Sequence, residues 1–80
     1  MKSGQLLVNV HRVEDLKYQS PLIVVVEYNY QRYQIPFNRF QQQFTFPINQ
    51  IDYDQFLVWI QTEHHPRTII PAVGNGSVND

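Results

Sequence analysis

The feature that most constrains the fold of this chain is an alternation of apolar and polar side chains with a period of two. Near the N-terminus, Leu6, Val8 and Val10 alternate with Leu7, Asn9 and His11, of which the last two are polar. This period is that of a half-buried β-strand, because successive strand side chains point to opposite faces of a sheet. No segment shows an amphipathic helical pattern longer than about two turns. The sequence therefore predicts an all-β protein.

Residues 22–26 give the strongest strand signal. The run is apolar throughout and β-branched after Leu22, a composition typical of strands. Its continuous apolarity predicts a central strand that is covered on both faces and forms the core. Pro21 can begin this strand at little cost, because the first strand position needs no N–H group. A hairpin turn follows, in which Asn29 is best suited to a positive φ, and residues 32–35 form the return strand.

Aromatic and aliphatic residues mark two further strands in the second half of the chain. The first is predicted to contain Phe40, Phe44 and Phe46 and to end at Pro47. The second covers residues 56–60, whose apolar side chains divide between two faces. Both runs fit strands of a small sandwich, since aromatic residues are enriched in strands.

The remaining segments are interpreted from their turn residues. Residues 49–54 form a loop or one helical turn, and residues 63–66 break the sheet. Ile69 and Ile70 form a short sixth strand. The Gly- and Asn-rich residues 74–80 are predicted to be a flexible tail. The expected total is five or six strands.

Length and charge limit the class of protein. A chain of 80 residues makes one small domain with a marginal core. A net charge of −1 does not favour a nucleic-acid partner. The chain has no cysteine, which excludes disulfides and thiolate metal sites and fits a reducing compartment. Neither a transmembrane run nor a signal peptide is predicted. We expect an intracellular location, either cytoplasmic or associated with the cytoskeleton or an organelle.

Few side chains offer catalytic or metal chemistry. Asp52 and Asp54 form an Asp-x-Asp pair, but a polar loop before a strand explains them better than a metal site. His11, His64 and His65 lack the paired acid or thiolate ligands that a zinc site needs. No glycine-flanked nucleophile or glycine-rich phosphate loop occurs. The sequence therefore predicts a non-enzyme with no cofactor and no bound metal.

Four segments in order share the spacing of one β-sheet family. They are Gly4, Leu6, Val8, Val10, Val13 and Leu16 of the first strand, residues 20–25, residues 40–46, and Phe56, Val58 and Ile60. Through these segments, residues 4–62 resemble the C2 domain, a calcium- and phospholipid-binding β-sandwich. The resemblance implies a short antiparallel β-sandwich.

Two departures from the C2 pattern change what the resemblance implies. C2 domains have more strands than the five or six predicted here, so the sandwich is expected to be incomplete. An antiparallel meander would gather residues 17–20, 36–39 and 62–66 at one end, and among these only Glu63 is acidic. Calcium takes about six to eight oxygen ligands, mostly from carboxylates. No calcium binding is expected there.

The expected function is that of a non-catalytic structural or adaptor subunit in a larger protein assembly. Residues 1–66 are assigned to the C2-like β-sandwich and residues 67–80 to a C-terminal docking segment with the flexible tail. Other protein subunits would bind through an open sheet edge and an aromatic face, because Tyr and Trp are enriched at interfaces. The expected partner-binding residues are Tyr28, Tyr30, Arg32, Tyr33, Arg67, Ile69, Ile70 and Val73.

Three alternatives remain open. The aromatic residues could serve only cross-strand pairing within the sheet. The chain could be a calcium-independent membrane- or phospholipid-binding C2 module, in which Arg32, Arg39 and Arg67 make weak anionic-lipid contacts of about 1 kcal/mol each. It could also be part of a longer protein whose further strands follow residue 80. Liposome flotation separates the membrane module from the assembly subunit.

Overall fold

The computed structural model describes residues 4–14, 21–48 and 55–79. These residues form seven strands and no helix, which confirms the all-β prediction and exceeds the expected five or six strands. The strands are β1 (Gly4–Val13), β2 (Leu22–Tyr28), β3 (Gln31–Pro36), β4 (Gln43–Ile48), β5 (Leu57–Thr62), β6 (Ile69–Ile70) and β7 (Ala72–Asn79). The predicted loop at residues 49–54 lies outside the described residues.

The strands form two antiparallel sheets that pack as a small β-sandwich. One sheet has the order β4-β1-β7 and the other has the order β3-β2-β5-β6. This confirms the predicted antiparallel β-sandwich, but the meander order assumed for its connections does not form, because β1 and β2 lie in different sheets. A single meandering sheet would leave its apolar face without cover, whereas two sheets bury their apolar faces against each other.

The core lies between the sheets. Its buried residues are Leu6, Val8, Val24, Val26, Tyr28, Phe44, Phe46, Ile48, Ile60 and Ile70. The prediction for residues 22–26 is confirmed, since β2 is an interior strand and Val24 and Val26 belong to the core. Ile23 and Val25 are buried as well, with exposed fractions of 8% and 1%, although they alternate with the core residues. They therefore lie on the outer face of the four-stranded sheet.

The β2–β3 hairpin has the predicted turn. Asn29 has a φ of 52° and Tyr30 a φ of 61°, and these two residues alone separate the strands. Two successive positive φ values are those of a type I′ turn, whose twist matches the twist of the flanking strands. The turn fixes the register in which Tyr28 pairs with Gln31.

Two details of the predicted aromatic strand are corrected. Phe40 precedes β4 and is 93% exposed, in a turn where the Phe40 N–H donates to Asn38 Oδ1 at 2.9 Å. Pro47 does not end the strand but lies within β4. Proline is tolerated there because β4 is an edge strand and has no neighbour on one side.

The largest correction concerns the predicted flexible tail. Residues 72–79 form β7, which pairs with β1 from Gln5↔Asn79 to Val13↔Ala72. The division into residues 1–66 and 67–80 does not match this pairing, because β6 and β7 each complete one of the two sheets. The glycines of β7 supply close backbone contact with β1 and with Phe56 instead of flexibility.

Candidate functional site

The edges of the two sheets differ in how well they are protected against pairing with another chain. Proteins protect edge strands with proline, charge or short length. The β4 edge contains Pro47, the β3 edge contains Arg32 and Pro36, and β6 has two residues. In contrast, β7 is eight residues long and contains neither proline nor a charged residue. Among the edges that the structure describes, β7 is therefore the best template for an added strand.

A cleft lies beside this unprotected edge. Its volume is about 380 Å³, and it is bordered by β5, β6 and β7, with Val58, Ile70 and Val73 among its lining residues. Gly74 and Gly76 also line it, so part of β7 presents backbone where other strands present side chains. The cleft is mainly apolar and large enough for one or two side chains of a bound segment.

Phe56 explains why glycine occurs in β7. A Cβ atom built at Gly76 would lie 2.8 Å from two carbon atoms of the Phe56 ring, which is too close for a real contact. At Gly74 a Cβ atom would overlap the backbone carbonyl oxygen of Asn9. Both positions therefore need glycine for close packing, and the same lack of side chains keeps the cleft open.

The β5 side of the cleft is also incomplete. The short strand β6 pairs only with Ile60 and Gln61 of β5. The first half of β5, including Leu57, has no strand neighbour on that side among the described residues, and Leu57 is 63% exposed. An extended segment lying in this gap would face backbone groups from both sheets.

The predicted aromatic face does not form. Tyr28 is 2% exposed and belongs to the core, and Tyr33 is half-buried and packs against that core. Tyr33 Oη donates to Gln31 Oε1 at 2.6 Å. Tyr30 is fully exposed at the tip of the turn. The three tyrosines share no exposed face, because Tyr28 and Tyr33 turn toward the core while Tyr30 lies in the turn between β2 and β3.

Arg32 and Arg67 lie instead on the outer side of the four-stranded sheet, where both line one shallow groove. Arg32 Nε donates to Glu27 Oε2 at 3.1 Å, and its guanidinium carbon lies 5.4 Å from the centre of the Trp59 ring. Trp59 Nε1 donates to Gln61 Oε1 at 2.7 Å. This chain of contacts covers one part of the sheet and engages Arg32 within the molecule.

The three remaining predicted partner residues border the cleft, but they differ in exposure. Ile69 is 66% exposed and Val73 is 51% exposed, so both are accessible to a partner. Ile70 is 2% exposed and points into the core opposite Ile60. The sequence prediction thus named two residues, Ile69 and Val73, that lie at the cleft, but it missed that Val73 belongs to the strand β7. The signal available was the absence of charge and proline from residues 72–79.

The histidines and acids form no metal site in the part of the chain that the structure describes. No group of three or more His, Cys, Asp or Glu side chains there could hold a metal ion. His64 Nε2 lies 3.5 Å from Glu63 Oε2 at the surface, and His11 Nε2 lies 3.2 Å from Asn75 Nδ2. The Asp52 and Asp54 pair falls outside the described residues.

The other arginines are not gathered with Arg32 and Arg67. Arg12 and Arg39 line a separate hollow beside the exposed Phe40. The residues that the structure describes contain no helix that is long and apolar enough to cross a membrane. Searches against models of protein families, curated proteins and solved structures found no match for this chain.

Proposed function

We propose that this protein is a non-catalytic binding module, a structural or adaptor subunit that accepts an extended protein segment along β7. The observation that carries the proposal is the unprotected eight-residue edge of β7 beside a 380 Å³ apolar cleft. In strand addition, main-chain hydrogen bonds supply affinity, and pockets for alternate side chains supply specificity. The edge and the cleft together offer both.

The alternation of side chains along a strand makes this combination effective. Every second side chain of a strand added to β7 would point toward the core side of the sandwich, where Gly74 and Gly76 leave space. A β-branched or aromatic side chain at such a position would contact Val58 and Ile70 in the cleft wall. The segments that fit best are therefore extended, uncharged and apolar at alternate positions.

The proposal includes membership of this chain in the C2 family, which the resemblance of residues 4–62 to C2 domains supports. A calcium-independent role follows from the missing carboxylates, because one acid cannot supply calcium with about six to eight oxygen ligands. Protein binding along a sheet edge needs no such ligands.

Site-directed photo-crosslinking tests the proposal. A photoreactive benzoylphenylalanine at Val73, which is 51% exposed beside the cleft, is expected to give a protein adduct in cells of the source organism. The matched control carries the same group at Thr45, an exposed residue of β4 in the same sheet. We expect an adduct from the Val73 derivative and none from the Thr45 derivative. Mass spectrometry identifies the protein that is cross-linked.

A second variant connects the adduct to strand pairing. Adding Val78→Pro to the Val73 derivative removes one N–H group of β7 and should abolish the adduct. Circular dichroism on the purified variant checks that it remains folded. Equal adducts at Val73 and Thr45, or an adduct that the folded proline variant retains, would overturn the proposal. Flotation with anionic liposomes that does not depend on β7 would favour the membrane-binding alternative.

A further inference from the structure

We infer that the segment accepted by β7 is β7 of a second copy of this chain, so that two sandwiches join in a symmetric dimer with one continuous six-stranded sheet. This inference rests on the proposed function and names its partner. A two-fold symmetric contact requires a surface that is complementary to itself. The sequence and the register of β7 satisfy that requirement in three ways.

First, the outward-facing backbone groups can be identified. Val10 N–H donates to Gln42 O at 2.8 Å, so the backbone groups of Val10 point toward β4. The direction of the backbone N–H and C=O groups alternates along β1. The backbone groups of Asn9 and Leu7 therefore point toward β7, where these residues oppose Asn75 and Ser77. Gly76 and Val78, which alternate with these residues, therefore turn their N–H and C=O groups toward the free edge.

Second, the register is restricted. Two β7 strands can pair antiparallel only in registers that keep the inner faces of both sheets on the same side. With seven residues of each strand paired, two such registers exist. The two-fold axis then passes through the pair of Asn75 residues or through the pair of Gly76 residues. In the first case Val78 opposes Ala72 of the second copy, and in the second case it opposes Gly74. In both registers the larger side chain meets a small residue beside the apolar cleft, so the two strands can approach without a clash.

Third, the absence of charged side chains on β7 permits self-pairing. Like charges directly opposite each other destabilise a strand pair, and a two-fold axis brings a charge near the middle of β7 close to its own copy. The strand Ala72–Asn79 has no charged side chain, so pairing with itself incurs no such repulsion. On the outer face the opposed residues would be Asn75, Ser77, Val73 and Asn79, whose polar members can exchange hydrogen bonds.

Sedimentation equilibrium of the purified full chain tests the inference. The wild-type chain should be a dimer, and Val78→Pro should raise the dimer dissociation constant by about tenfold or more. Val78 packs against the core, so a second variant avoids this residue. In the double variant N75K/S77K, both changes lie at exposed positions, and lysine opposes lysine in either register. The matched control T45K places lysine on β4 and should stay dimeric.

Cross-linking locates the contact. The chain has no cysteine, so Asn75→Cys introduces the only thiol. A short bis-maleimide should link two copies of this variant and should not link copies of Thr45→Cys. A wild-type monomer at all concentrations, or equal linking of the two variants, would overturn the inference. A hetero-adduct from Val73 in the photo-crosslinking experiment would still support the proposed function in that case, so the two failures are distinguishable.

Discussion

Tyr30 occupies the second position of the β2–β3 turn with a φ of 61°. The left-handed region costs an L-residue with a Cβ atom about 1–2 kcal/mol, and glycine escapes this cost. Tyr30 is fully exposed, so its ring contributes no packing to offset that cost. We therefore expect Tyr30→Gly to stabilise the fold by about 1 kcal/mol, which raises Tm by about 4–8 °C in a domain of this size.

Thermal and urea unfolding of the variant measure this effect. The control is Tyr30→Ala, which removes the ring but keeps the Cβ atom in the left-handed conformation, so its stability should stay near that of the wild type. An equal gain in both variants would show that the ring, and not the backbone conformation, limits the stability of the turn. Asn29 was predictable at this scale because Asn tolerates positive φ, whereas no local rule places tyrosine beside it.

At the scale of elements, a buried hydroxyl group joins the two ends of the connection between β5 and β6, beside a backbone hydrogen bond from Thr62 N–H to Thr68 O at 2.9 Å. Thr62 is 3% exposed, accepts a hydrogen bond from Thr68 N–H at 2.9 Å and donates to Pro66 O at 3.1 Å. Thr62→Val keeps the shape of the side chain but leaves the Thr68 N–H group without this partner. Leaving a buried polar group unpaired costs about 1–3 kcal/mol, so we expect a loss of that size in the free energy of unfolding.

Urea unfolding gives the size of the Thr62→Val effect, and hydrogen exchange at the Thr68 amide gives its location. Thr45→Val is the matched control on an exposed strand position, where the change should be within about 0.5 kcal/mol. If Thr62→Val and Thr45→Val lower the free energy of unfolding equally, the hydrogen bonds of the Thr62 hydroxyl do not stabilise the connection between β5 and β6. If Thr68 exchange stays unchanged in Thr62→Val, these hydrogen bonds are likewise not responsible.

The strands themselves show which elements sequence patterns can predict. β2 was predicted because its residues are strand formers in their own right. β7 was not, because Gly74, Asn75 and Gly76 favour turns when they are considered locally. Its strand conformation comes from pairing with β1 and from the Phe56 ring above Gly76. Phe56 and Gly76 are far apart in the sequence, so no local pattern shows this contact.

At the scale of the whole molecule, the neighbouring residues Ile69 and Ile70 are expected to differ in role: Ile70 stabilises the fold, whereas Ile69 is available for binding. Ile70 lies in the core, and truncating a buried isoleucine costs about 2–5 kcal/mol. That loss is a large fraction of the roughly 5–15 kcal/mol that stabilises a domain. We expect Ile70→Ala to lower Tm strongly, whereas Ile69→Ala changes the free energy of unfolding by at most about 0.5 kcal/mol.

Thermal unfolding of both single variants checks this expectation. Substituting alanine at both Ile69 and Ile70 cannot test partner binding, because the loss of the Ile70 side chain weakens the fold itself. Ile69→Ala, at 66% exposure, is the variant that can change binding without changing the fold. Comparable destabilisation in the two variants would contradict the assignment of Ile70 to the core and Ile69 to the surface.

The sequence by itself determined that the chain is all-β, that residues 22–26 form a central strand and that Asn29 lies in a tight turn. These properties depend on side-chain period and on local φ preferences, which act over a few residues. Only the tertiary structure decided which strands share each sheet, the burial of Tyr28 and the free edge of β7. Those features depend on hydrogen bonds and packing between distant segments, whose free energies no local pattern contains.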